Sequence, residues 1–244
     1  MEQQTIEKMN LMHMRGMSMA YHEDITTGLL KDYTIDEYLG KLIDTEWEHR
    51  QSRKIQNLKR SANFRQQAHP LNIDFSINRH LDKGVMMRLL SLTFIKQAEN
   101  IIITGLTGTG KSYLAQCIGT KACEMLNKVS YYPMSELSDT IELMHLQGNY
   151  SRWIKRIQQS SVLIIDDFGL TKINDKTRKT ILDLVDFKYG KSSVIIVSQI
   201  PVQSWHELIG ESTIADAILD RIIHNAHRID LKGESIRRQK GVTK

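Results

Sequence analysis

The stretch Gly105-Leu106-Thr107-Gly108-Thr109-Gly110-Lys111-Ser112 matches the template G-x-x-x-x-G-K-[ST] at every fixed position. Glycines in such a loop let backbone N–H groups turn toward phosphate oxygens, and a helix starting at its end adds a positive terminus. Lys111 can reach β- and γ-phosphates, and the Ser112 hydroxyl can ligate Mg²⁺. Gly105, Thr107, Gly108, Thr109, Gly110, Lys111, Ser112 and Tyr113 are therefore the candidate nucleotide-contacting residues. A second element, Val162-Leu163-Ile164-Ile165-Asp166-Asp167, is four apolar residues ending in two carboxylates. Asp166 suits the Mg²⁺ shell beside Ser112, and Asp167 suits the orientation and polarisation of an attacking water. A third, Val194-Ile195-Ile196-Val197-Ser198-Gln199, ends in two polar residues. Ser198 or Gln199 can hydrogen-bond a γ-phosphate or the lytic water.

Such residues need a scaffold that delivers them to one edge. Apolar, β-rich runs occur at Ile101–Thr104, Val129–Tyr132, Val162–Asp166, Val194–Ser198 and Ile229–Leu231. Helical patterns separate them, over Lys111–Leu126, Ser135–Leu146, Asp175–Phe187 and Ile214–His224. Strands alternating with helices predict an α/β fold with a parallel sheet covered on both faces. In open sheets of this kind the ligand lies beyond the carboxyl ends of the strands, where the loop Gly105–Ser112 falls.

Residues 1–70 differ in character. Gly, Pro and β-branched runs are scarce, helix formers dominate, and Met9, Met12, Met14, Met17 and Met19 crowd the start. This reads as a small α-helical N-terminal domain, with residues 71–244 forming the nucleotide-binding domain. The methionines read as soft core or as an adaptable protein-binding face. Thr34 followed by Glu37 predicts a capped helix start whose apolar stripe is Tyr38, Leu39 and Leu42. From residue 50 to 65 there are six basic residues and no acidic one: Arg50, Arg53, Lys54, Lys59, Arg60 and Arg65. On a helix, Arg50, Arg53, Lys54, Lys59 and Arg60 sweep a broad positive face, for which nucleic-acid phosphates are the natural counter-surface. Pro70 is expected to end this segment.

The 244 residues carry a net charge of +5 with 41% apolar content, ordinary for a globular protein with polyanionic partners. The two cysteines, Cys117 and Cys123, exclude a disulfide framework and read as packing residues of a reducing cytoplasm. No signal-peptide pattern and no run of about 18 apolar residues occurs, so no membrane partner is expected. The nine histidines form no helical pair that would suggest a metal site.

Together these motifs resemble the AAA+ class of P-loop ATPases, and more narrowly the IstB/DnaC-like branch with its IstB-type transposition helpers. The carrying segments are Gly105–Ser112, Leu163–Gly169, Ser198-Gln199-Ile200-Pro201, and the tract comprising residues 205–209, 215–221 and 231–237. The resemblance covers about residues 35–240. It implies an ATP- and Mg²⁺-dependent protein that oligomerises on duplex DNA and recruits or stimulates a cognate transposase. It assigns Lys111 and Ser112 to phosphate and Mg²⁺, Asp166 and Asp167 to the Walker B pair, and Ser198 or Gln199 to sensor 1. Arg221 becomes an arginine finger reaching a neighbouring subunit, and Arg237 a sensor 2. Many AAA+ members carry Glu where this chain has Asp167; the shorter arm implies slow turnover. Two other expectations stay open: a DnaC-like replicative helicase loader acting on single strands, and a non-hydrolysing nucleotide-gated DNA-binding scaffold.

Overall fold

The computed structural model describes residues 2–29 and 33–236. These form two compact units that divide between Asn57 and Leu58.

The first unit contains α1 (Glu2–Leu11), α2 (Arg15–Thr27) and the greater part of α3 (Ile35–Ala62). Thr34 and Glu37 form the expected capping box at the start of α3. The Thr34 backbone N–H donates to Glu37 Oε2 at 2.9 Å, and the Glu37 N–H donates to Thr34 Oγ1 at 3.3 Å. Gly16 lets α2 approach α3 closely: a Cβ there would lie 2.8 Å from the Glu46 Cα and the His49 Cβ. Polar ties fix that contact. Lys41 pairs with the buried Asp24 at 2.7 Å, and Glu46 Oε2 accepts the Met17 backbone N–H at 3.1 Å. Little apolar surface is buried. Leu42 packs inward, but Leu39, expected on the same stripe, faces solvent with Ile35, Ile43 and Trp47, four residues apart along the helix. Met12 and Met19 are likewise exposed, so those two are not core.

The second unit begins inside α3, earlier than the boundary expected at residue 70. The reason is packing: Ala62 and Ala68 are buried in the nucleotide domain's core, with Leu58 and Phe64 packed against it. The helix ends at Ala62, followed by Asn63 in the left-handed region (φ 60°). Pro70, expected to end the N-terminal segment, opens a 3₁₀ turn, Pro70–Asn72.

Two short helices, α4 (Lys83–Leu90) and α5 (Thr93–Lys96), precede β1 (Asn100–Gly105). Then follow α6 (Lys111–Glu124), β2 (Val129–Pro133), α7 (Met134–Leu146), α8 (Tyr150–Gln158), β3 (Val162–Asp166) and α9 (Asp175–Lys188). The chain continues through β4 (Ser193–Ser198), α10 (Trp205–Ile209), α11 (Ser212–Ile223) and β5 (Ala226–Leu231). All five expected strands are present. They form one parallel sheet in the order β2-β3-β4-β1-β5. Alternation along the strands splits the core into two layers. Ile101, Ile103, Ile164, Ile195 and Val197 pack with α6 through Leu114, Cys117 and Ile118. Ile102, Leu163, Ile165, Val194 and Ile196 pack with α7, α9 and α11 through Leu137, Leu184 and Ile218. Cys117 and Cys123 lie fully inside, and burial pushes their thiols up to about 12 and about 11 respectively. They are inert packing groups. Helix α8 is not among the expected elements: it has only nine residues, and its apolar Trp153, Ile154 and Ile157 sit amid Arg152, Lys155 and Arg156. No helix among the described residues is long and apolar enough to cross a membrane.

At the end of α9, Lys188 is 1% exposed, and its ammonium donates to the Ser160 carbonyl (2.6 Å) and to the Ser160 and Ser192 hydroxyls (3.2 Å each). Burial lowers its pKa from 10.5 to about 8. The folded state therefore disfavours the charged amine fully below pH 8. That penalty is relieved as pH rises to 10.5, because across this window the unfolded chain binds more protons. Relative to Lys188→Met, the wild-type free energy of unfolding in urea is expected to rise between about pH 8 and 10.5. Parallel profiles for the two proteins would contradict this assignment.

Candidate nucleotide site

The strand order decides what meets at the carboxyl edge. Strand β1 delivers the phosphate loop, β3 delivers Asp166, and β4, lying between them, delivers Ser198 and Gln199. The loop leaves β1 through Gly105 (φ 144°), where a Cβ would collide with the Leu231 carbonyl, and enters α6 through Gly110 (φ 92°). Only glycine takes both conformations without cost. Lys111 opens α6, and its ammonium donates to the Leu106 carbonyl at 2.8 Å across the loop. Thr109 is buried, and its hydroxyl donates to the same carbonyl at 2.8 Å.

Next to the loop, Asp166 is 1% exposed at the end of β3. Its Oδ1 accepts the Ser112 hydroxyl at 3.0 Å and the Asp167 N–H at 2.9 Å, and its Oδ2 accepts the Tyr131 hydroxyl at 2.7 Å. Burial raises the Asp166 carboxyl above its ordinary value, against the hydrogen bonds from Tyr131 and Ser112 that lower it. Asp167 adopts φ 56°, an uncommon left-handed conformation for a non-glycine residue. It lines a cavity of about 520 Å³ together with Thr107, Gly108, Lys111, Ser112 and Tyr113. Gln199 lines this cavity too, and its Oε1 accepts a hydrogen bond from the Thr107 hydroxyl.

Ser198 does not line the cavity. It is fully buried, its hydroxyl donating to the Phe168 carbonyl at 2.6 Å and accepting the Ile200 N–H at 3.0 Å. Of the two polar residues ending β4, only Gln199 faces the loop. Arg221 lies elsewhere. The Asn100 side chain, at the first residue of β1, donates to the Arg221 carbonyl at 2.9 Å. This places Arg221 at the end of β1 opposite the phosphate loop, about 16 Å away along the strand. Its guanidinium pairs with Asp186 at 2.7 Å and caps the Ala217 carbonyl at 2.9 Å. Arg237 lies outside the described residues.

One member of the site carried no sequence signal as a contact to the loop. Arg79, only 3% exposed, lines the cavity from behind. Its Nη1 donates to the Thr109 carbonyl at 3.3 Å and its Nη2 to the Asp74 carbonyl at 3.1 Å, while Nε has no partner among the described residues. Burial lowers its pKa. Tyr131 is the other unforeseen member.

The residues present fit Mg²⁺ with a nucleoside triphosphate. A hydroxyl and a carboxylate 3.0 Å apart offer the hard oxygen ligands that Mg²⁺ takes alongside phosphates and water. The glycine-lined loop at the start of a 14-residue helix offers the phosphates N–H groups and a positive terminus. Among the described residues no His/Cys/Asp/Glu cluster suggests any other metal centre.

The expected positive face is only partly free. Arg50 pairs with Glu46 at 2.6 Å, one turn before the run, and Lys59 pairs with Glu124 at 2.8 Å, far along the chain. Arg65 pairs with Glu136. Arg53, Lys54 and Arg60 are exposed and make no ion pair among the described residues. Within the second unit, Arg60 shares a concavity of about 280 Å³ with Arg156, Ser130 and Tyr132.

The order β2-β3-β4-β1-β5, with the phosphate loop after β1 and the acidic pair after β3, defines a P-loop ATPase fold of the AAA+ class. Solved structures agree on the fold. The DnaC helicase loader superposes with a TM-score of 0.54 at 18% identity, covering 71% of this chain and 98% of that one. DnaI gives 0.57 at 18% identity, covering 69% and 90%. The model of the IstB-like ATP binding protein family matches residues 7–243, and the chain belongs to that family. An insertion-sequence ATP-binding protein of Sinorhizobium fredii is 41% identical over 234 residues, 96% of each chain. The insertion sequence IS21 ATP-binding protein of Pseudomonas aeruginosa is 28% identical over 221 residues, 90% of this chain and 83% of that one.

Proposed function

We propose that this chain is a transposition helper that binds and hydrolyses Mg-ATP and assembles as an oligomer on duplex DNA. There it recruits or stimulates a cognate transposase. The observation that carries the reading is the meeting of the phosphate loop, the Ser112–Asp166 pair, Asp167 and Gln199 at one cavity. The names of two relatives, both ATP-binding proteins of insertion sequences, support the transposition context over a replicative helicase loader of the same fold.

In this reading Lys111 leaves the Leu106 carbonyl and donates to β- and γ-phosphate oxygens. Ser112 and Asp166 hold the Mg²⁺, which when bound neutralises charge on the phosphates. Asp167 holds a water in line with the γ-phosphate and accepts its proton, and Gln199 fixes the other side of that water. The Asp167 carboxylate is one methylene shorter than a glutamate, which favours slow turnover and a switch rather than a motor. Arg221, too far from its own loop, serves the γ-phosphate of a neighbouring subunit. Its ion pair with Asp186 is partly exposed and exchanges at small cost. The sensor-2 role expected of Arg237 comes from the family resemblance alone. The N-terminal helices grip DNA or neighbouring subunits, and Arg53, Lys54 and Arg60 take DNA phosphates without reading bases.

Charge-assisted hydrogen bonds are worth about 1.5–3 kcal/mol. Lys111→Ala is therefore expected to weaken binding of a fluorescent ATP analogue by about 10- to 100-fold; unchanged affinity would overturn the nucleotide site.

Each phosphate contact adds about 0.9 to the salt slope of duplex binding. Replacing Arg53, Lys54 and Arg60 together by Ala is expected to reduce that slope by about 2–3. Replacing the paired Arg50 and Lys59 should leave it nearly unchanged. The reverse pattern, measured by fluorescence anisotropy between low and moderate salt, would contradict the assignment of the free cations.

A further inference from the structure

The Asp166 carboxylate does not stand by the site unaided. Strand β2 runs parallel to β3 in a register that pairs Tyr131 with Ile164 and Pro133 with Asp166. Tyr131 is 2% exposed and turns its ring into the same layer as α6, 6.0 Å from the ring of Phe64. From there its hydroxyl donates to Asp166 Oδ2 at 2.7 Å. Ser112 and the Asp167 N–H both bond Oδ1, and Tyr131 holds the other oxygen. The Tyr131 hydroxyl is itself held. Gln116, one turn into α6, reaches it with Nε2 at 3.5 Å, and the same nitrogen donates to the Ser112 carbonyl at 3.2 Å. Gln116 Oε1 accepts the Gln66 backbone N–H at 2.9 Å, tying the chain before the nucleotide domain's first turn to α6.

We infer that Tyr131 is a positioning residue for the metal-binding carboxylate, fixing Asp166 so that Oδ1 stays beside Ser112 and the phosphate loop. The inference rests on the Mg-ATP reading of this site and adds to it a residue outside the loop and the acidic pair. A carboxylate rotates easily about its Cβ–Cγ bond. A buried donor on Oδ2 removes that freedom before the cation arrives, and partners of this kind typically contribute 10- to 100-fold to metal affinity or activity. Because Tyr131 is buried and does not line the cavity, its loss should act on the cation and not on the nucleotide alone.

The test uses the full-length protein, a fluorescent ATP analogue and Mg²⁺ titrated from EDTA upward. In Tyr131→Phe the ring and its contact with Phe64 remain, and only the hydroxyl is removed. Tyr131→Met, a second variant without the hydroxyl, guards against a folding defect in the first, and thermal melts accompany both. The expected result is a Mg²⁺ midpoint raised by about 10-fold or more, with nucleotide affinity in EDTA within about twofold of wild type. A midpoint unchanged in both variants, while the wild type responds to Mg²⁺, would overturn the role of Tyr131 and leave the nucleotide site standing. A wild type whose nucleotide affinity ignores Mg²⁺, as Asp166→Asn is expected to do, would overturn the Mg-ATP reading and this inference with it.

Discussion

A carboxylate carried to the end of a buried parallel strand is costly unless its oxygens are satisfied, and Asp166 sets that constraint for the whole nucleotide domain. Meeting it requires a hydroxyl from the first turn of α6, a backbone N–H from Asp167 in a left-handed conformation, and a phenol from the edge strand β2. Those three donors can converge only if β1, β2 and β3 run parallel with their carboxyl ends level and α6 packs directly against them. The phosphate loop then falls beside Asp166 as a consequence, since α6 begins where the loop ends. Gly105 and Gly110 make the short connection possible, and Arg79 braces it from behind through the Thr109 carbonyl.

The same economy governs charge. A run of six cations within 16 residues looks like one continuous positive face, yet half of it is neutralised by Glu46, Glu124 and Glu136. Lys59 and Arg65 thereby fasten the end of α3 and the following loop to the nucleotide domain. Arg53, Lys54 and Arg60 make no ion pair among the described residues, and within the second unit Arg60 shares a concavity with Arg156, almost 100 residues further on. Which cations lack carboxylates nearby in space is a property that a net charge of +5 does not reveal.

What could be read from the linear chain, and what could not, follows from the range of each interaction. The phosphate loop and the acidic pair depend on residues adjacent in sequence, and the five strands on local alternation and apolar runs, so both were legible. The choice between Ser198 and Gln199 was not, because it turns on the Phe168 carbonyl, 30 residues away, which captures the Ser198 hydroxyl. Tyr131 lies 35 residues from Asp166 and meets it only through strand register. Leu39 was placed on a buried stripe by periodicity alone, whereas the face that α2 covers is set by Gly16 and the Glu46 and Asp24 ties. The domain boundary was displaced for the same reason: Leu58 and Ala62 continue a polar helix but pack into the other unit's core.

The proposed coupling of nucleotide occupancy to DNA assembly is tested most directly by fluorescence anisotropy of labelled duplex and single-stranded DNA of equal length. Purified protein is titrated with ATP and Mg²⁺, and again without nucleotide. The expected result is cooperative binding to the duplex that requires ATP. Binding to duplex that is indifferent to nucleotide, or binding confined to single strands, would contradict it.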